Sequence, residues 1–537
     1  MPALTAPAPT LAPPAGLAPP AGLTPATMPL SRVQAAHLLR SATFGPTPAL
    51  LDRFTGMMPT EAVRTLIDEA RATPLPPDPS WLLLPLPDDD EGSAAETFFD
   101  QNERWVEEVL GTFLGEMVGG GLHARMTLVW HNHVVTSLDA YEFAAFAHRY
   151  LQLLRRHAVG SFRALIQEAG TDGAMLVFLN GEESTRDAPN ENYAREVMEL
   201  FTMGPRDASG QPNYTENDVP ELARALTGWQ VDYTGEQGPP FTSFFDVDLF
   251  DDGVKTFLGR TGAFDYDEAI DVLFEQRGAA ITHFVATRLY RSFVHETPDA
   301  AVVDALAQVL AAADFEVAPA LQALLSSAHF FEARFQGAQI RSPFDLIAGL
   351  ARALDTQAPA LDTFASTEMV AVAGEGMEQR LLAPPNVGGW PGYRTWLSTD
   401  TLTARWDGLG YLLDLLSADE DEDGQPRTPA LDLATVYTTY GGTDSLSFYR
   451  FPVEIAKALL AVPLAEASIE PVSAGYAGGI PVPDSVLNAP AHEQDLTKLF
   501  LQGAPWYEVT GSDADLRREL VWEYLVRLGE LPEFQLR

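Results

Sequence analysis

From Ser31 to Trp406 the sequence is punctuated repeatedly by helix start and stop signals, while the strand-type alternation of Val, Ile and Thr is scarce. Ser31 followed three residues later by Gln34 has the form of a capping box, and Phe44-Gly45-Pro46 stops the helix it opens. Thr47-Pro48 opens the next one, with proline at the first helical position. Amphipathic stretches follow at Glu96 to Leu114, Leu122 to Val135, Tyr141 to His157 and Phe162 to Glu168. This patterning predicts an all-α protein, mainly helical and bundle-like, with short strands or hairpins admitted around Val231 to Phe257.

The chain has 537 residues, which predicts more than one structural unit. We expect a Pro/Ala-rich disordered leader over residues 1–30, a helical domain over 31–410 and a helical extension with an acidic loop over 411–537. The leader has neither a basic segment nor an unbroken apolar run, so no secretory signal is recognised and a cytoplasmic location is expected, with export left open. No apolar run reaches the roughly 18 residues of a membrane span, and a soluble protein is expected. Acidic residues outnumber basic ones 75 to 34, for a net charge of −41, which repels phosphate backbones and argues against nucleic acid as a partner. Cysteine is absent, which removes disulfides, thiol catalysis and cysteine metal sites.

The best-defined segment is NENYAREVMELFTMG, residues 190–204. Asn190 is a natural N-cap, and Tyr193, Val197, Leu200 and Phe201 form an apolar stripe. Glu191, Arg195 and Glu199 stand four apart, the spacing for an ion-pair network. Glu196 and Glu199 are three apart and can converge on a metal with His131 from a facing helix; the alternative pairs Glu199 with Arg195 and Glu196 with an arginine from elsewhere, Arg224 being the candidate. His131 and His133 are two apart, a spacing that points them away from one another on a regular helix, and His133 shares an apolar face with Met126 and Trp130. A core role for the histidine pair and for His37 is the plainer reading. Gly119-Gly120-Gly121 reads as a connector, and Trp390 and Trp396 as anchors of a proline-rich loop. Asp419, Asp421, Asp423 and Gly424 match the start of a calcium loop, but its twelfth position is Ala430 rather than glutamate. Ser512 is expected to cap a final helix.

Several of these segments, taken in order, carry a resemblance. AAHLLRSATFGPT (35–47), RMTLVWHNHVVTS (125–137), PNENYAREVMELFTMG (189–204), YTENDVPELARALTGW (214–229), KTFLG (255–259) and PPNVGGWPGYRTWLS (384–398) resemble the bacterial domain-of-unknown-function family numbered 1800. The resemblance implies a partner more readily than a reaction, because members are commonly encoded beside a sulfatase-like family numbered 1501. One departure stands out: Phe250 occupies the place where the resemblance leads us to expect a histidine, while Asp251 remains. Two functions are therefore expected as alternatives. One is a helical scaffold or accessory partner of a sulfatase-like protein. The other is a metal-dependent hydrolase built on His131, Glu196 and Glu199 with a divalent metal; separately, the loop of Asp419, Asp421 and Asp423 is a candidate site for calcium.

Overall fold

The computed structural model describes residues 22–87, 92–356, 361–420, 424–511 and 513–537. Among them are 23 α-helices and two two-stranded antiparallel sheets, so the protein is mainly α. The strands lie where short strands were admitted: Trp229–Asp232 pairs with Thr242–Phe245, and Lys255–Phe257 with Arg260–Gly262.

The caps explain why the helices begin where they do. Ser31 and Gln34 form the reciprocal box ahead of Arg32–Ala42. Thr47 caps Pro48–Phe54, and the Ser342–Asp345 box opens Pro343–Ala353. The last long helix, Ala514–Gly529, is capped by the Asp513 side chain; Ser512 lies outside the described residues.

The described end of the expected leader, residues 22–30, packs against the rest of the chain. Leu23 and Leu30 are buried, Ala26 donates its N–H to the Ser326 carbonyl at 2.9 Å, and the Thr24 carbonyl accepts from Ala328 at 2.8 Å. Two well-spaced leucines thus anchor proline-rich backbone that has no helix propensity of its own. The boundary expected at 410 falls inside the helix Thr399–Ser417, and one apolar core runs from Leu23 to Phe534.

The interior is threaded by arginines that hold backbone carbonyls. Arg352 donates to the carbonyls of Gly45, Val118 and Gly120 at 2.9, 2.7 and 2.5 Å. In the triple glycine before Leu122 the tight position is Gly120, where an added Cβ would stand 2.3 Å from the Glu116 carbonyl. Arg125 pairs with Asp345 and lies over the Phe44 ring, tying the start of Leu122–His131 to the capped end of Pro343–Ala353.

Candidate functional site

The helix Leu122–His131, all ten of whose residues are buried, stops four residues short of the expected end at Val135. Its C-cap is Asn132, and the chain turns there, so His131, Asn132 and His133 address three different neighbours instead of opposite faces of one helix.

His131 accepts a 2.9 Å hydrogen bond at Nε2 from the Leu382 backbone N–H. Its ring stacks on Trp390, centroids 5.4 Å apart and planes 12° from parallel. Accepting at Nε2 places the proton of the neutral ring on Nδ1, and burial lowers the pKa to about 4. Asn132 clamps the Trp390 backbone from both sides: Oδ1 accepts the Trp390 N–H at 2.7 Å, and Nδ2 donates to the Trp390 carbonyl at 3.2 Å. The Asn132 carbonyl in turn accepts from Arg288. His133 donates from Nε2 to the Phe201 carbonyl at 2.9 Å. Burial, helped by the Arg288 guanidinium, lowers its pKa to about 3. Three consecutive polar side chains therefore tie the end of one helix to the 382–390 loop and to the 190–204 segment. His37 follows the same pattern, bonding the Phe330 carbonyl at 3.1 Å with its pKa lowered to about 4 chiefly by burial.

The 190–204 segment is not one α-helix. Asn190 Oδ1 accepts from the Asn192 N–H at 2.8 Å and caps Glu191–Glu196. Val197–Thr202 then widens into a π-helix, in which Thr202 Oγ1 donates to the Val197 carbonyl at 2.5 Å. The Phe201 carbonyl held by His133 belongs to this wider turn. On the outer face Arg195 lies 3.4 Å from Glu191, 3.8 Å from Glu199 and 3.5 Å from Glu216. Glu199 also accepts from the Tyr214 hydroxyl. The Glu196 carboxyl is raised above its ordinary pKa by partial burial and by Glu199.

Two expectations for these residues are corrected. Arg224 does not serve Glu196. It faces the loop after the first sheet, where it grips Asp251 through Nε and Nη2 at 2.7 and 3.1 Å and bonds Glu221 at 3.0 Å. Nor do His131, Glu196 and Glu199 gather around a common point. His131 is enclosed by Leu382, Trp390 and Phe113, whereas Glu199 turns to Arg195 and Tyr214. Among the described residues no group of three or more His, Asp or Glu side chains is placed to hold a metal ion. In the calcium motif Asp421 and Asp423 lie outside the described residues. Asp419 contributes its carbonyl to a 2.7 Å bond from the Arg427 N–H.

Sequence reading missed two features. Asn132 was visible between the histidines, but nothing in the spacing revealed a clamp on residue 390. Lys255 of KTFLG is fully buried, its ammonium donating to the carbonyls of Asp251 and Gly253 at 2.5 and 3.1 Å and lying 4.8 Å from the centroid of the Phe250 ring. Phe250, where a histidine was expected, thus gives a buried cation an aromatic face. Trp390 and Trp396 are both buried, as anchors of their loop.

The fold and these ties define a large helical protein whose recurring motifs lock segments distant in sequence. The sequence model of the family described as Protein of unknown function (DUF1800) matches residues 37–496. The chain belongs to this family. No curated protein and no solved structure matches it.

Proposed function

We propose that the protein is a helical scaffold or accessory component that works with a sulfatase-like protein. One observation carries the scaffold half of this reading: the polar residues of its motifs are engaged in internal ties. His131, Asn132 and His133 hold backbone groups of Leu382, Trp390 and Phe201. Glu221, Arg224, Asp251 and Lys255 lock the second hairpin onto the helix Asp218–Ala225. A hydrolase needs an imidazole or carboxylate free to meet substrate or metal; His131 Nε2, His133 Nε2 and the Asp251 carboxylate are taken up by these ties, and His131 Nδ1, without a partner among the described residues, is buried. The sulfatase-like partner rests on the family resemblance.

The test is affinity purification of the tagged protein from its native host under mild conditions, with metal analysis of the same material. Recovery of a sulfatase-like protein in near-stoichiometric amount, without a tightly bound transition metal, is the expected result. Absence of such a protein from the purified complex overturns the partner. A stoichiometric metal lost on replacing His131 by alanine, with the fold retained, overturns the scaffold reading.

A further inference from the structure

A small cavity of about 10 Å³ lies where the first helix, the helix Pro343–Ala353 and the C-terminal segment meet. Three arginines line it, Arg40, Arg341 and Arg537, and its single lining carboxylate is Asp345. That carboxylate is already engaged. It pairs with Arg125, accepts from the Ser342 N–H and hydroxyl at 3.1 and 3.0 Å, and stands 3.5 Å from Arg537. These positive neighbours hold its pKa far below the usual carboxylate range despite its burial.

The three arginines are only partly satisfied by protein. Nη2 of Arg40 donates to the carbonyls of Lys457, Ala458 and Leu460 at 3.1, 2.8 and 2.7 Å, while its Nε has no partner among the described residues. Arg341 donates to the carbonyls of Leu536 and Leu459 at 2.9 and 2.7 Å and leaves Nη1 without a partner among the described residues. That Nη1 is 4.0 Å from the point where a Cβ on Gly349 would stand, so it faces the glycine wall of the cavity. Arg537 leaves Nη1 without a hydrogen bond among the described residues. Carbonyl dipoles satisfy donors but leave net charge in place. Three guanidinium groups face the space beside one side-chain carboxylate, in surroundings where an uncompensated charge is costly.

We infer that this cavity is a binding site for a small monovalent inorganic anion, chloride being the one of suitable size and abundance. A halide accepts from several N–H groups at once, and a space about large enough for one water has no room for a phosphate. The chain's overall charge of −41 does not oppose this strongly, since solvent-exposed acid is screened within about 8–10 Å at physiological ionic strength. The anion would join the N-terminal helix, the central helix and the C-terminal segment at one point.

The test uses the full chain at constant ionic strength, with gluconate exchanged for chloride or bromide, and crystals grown in bromide. The expected result is a saturable rise of a few degrees in melting temperature that is specific to the halides and lost in Arg341→Gln. A bromide anomalous peak between Arg40, Arg341 and Arg537 is expected with it. The peak decides the matter if Arg341→Gln fails to fold. Coincident melting curves in gluconate and chloride, or water density with no anomalous signal in the cavity, overturn the proposal.

Discussion

Replacing Asn132 by alanine isolates the clamp on residue 390. The change removes both hydrogen bonds to the Trp390 backbone, at 2.7 and 3.2 Å, and leaves a donor and an acceptor of a buried residue without protein partners. A buried polar group left unsatisfied costs about 1–3 kcal/mol. Asn132 is itself only partly buried, so water can restore part of the loss, and a total near 2–3 kcal/mol follows. A chain of this length need not unfold in one step, so the local readout is hydrogen exchange over residues 382–397, beside urea unfolding. Exchange there should accelerate while that of the remote helix Ala300–Ala312 stays unchanged. Gly389 provides the internal control. Its φ is +78°, and an added Cβ would stand 2.3 Å from Asn132 Oδ1 and 2.7 Å from the Asn132 carbonyl. Gly389→Ala should therefore open the same loop. The double variant should lose less than the sum of the two by at least about 0.5 kcal/mol, because the side-chain clash disappears with the asparagine. Strictly additive losses, or unchanged exchange over 382–397 in Asn132→Ala, would refute the clamp.

Three further outcomes are expected. Asp345→Ala strands Arg125 and Arg537 in the interior and should cost about 3–5 kcal/mol in urea unfolding; because the Asp345 pKa is depressed, its stabilisation is present above its ordinary value of 3.8 and fades as pH falls below it, so the variant should lack that part of the wild-type acid response. His131 is buried neutral with its pKa lowered from 6.5 to about 4, so its share of stability is complete above pH 6.5 and declines by roughly 3 kcal/mol as pH falls to 4; His131→Gln, which keeps an acceptor for Leu382, should flatten the melting-temperature profile over that window. Glu199→Ala should cost no more than about 1 kcal/mol by thermal denaturation, since Arg195 is partly exposed and retains Glu191 and Glu216.

The helical class and many helix starts were legible because they depend on local chemistry. The Ser31 box, the Thr47-Pro48 start and the Asn190 cap each involve atoms within a few residues of one another. What was not legible depends on pairings across long stretches of chain. The Asn132 clamp joins residues 258 positions apart, and the His131 bond spans 251. No periodicity encodes either. The π-turn at Val197–Thr202 was equally hidden, since its apolar stripe reads the same at 3.6 residues per turn and the departure arises where His133 engages the Phe201 carbonyl. The segment 22–30 was not legible as packed chain for a related reason. Its composition forbids a helix but says nothing of two leucines finding a core built by other segments.

The arrangement of charge explains why arginine so outnumbers lysine here. Lysine occurs three times in the whole sequence, and one of the three, Lys255, is buried with two carbonyls and an aromatic ring around its point charge. The buried arginines do something a point charge cannot. Each spreads several donors across a plane and collects carbonyls from segments far apart in sequence: Arg352 gathers residues 45, 118 and 120, and Arg341 gathers 459 and 536. Burial lowers the pKa of Arg40 to about 9 and of Arg341 and Arg352 to about 10, still well above neutrality, so these groups remain cationic inside the core. Positive charge is thereby withdrawn from the surface, which becomes more acidic than the composition alone conveys. The interior becomes positive around Asp345, and Arg→Lys replacement at 341 or 352 should consequently disrupt more than its conserved charge implies, because one ammonium cannot reach the same set of carbonyls.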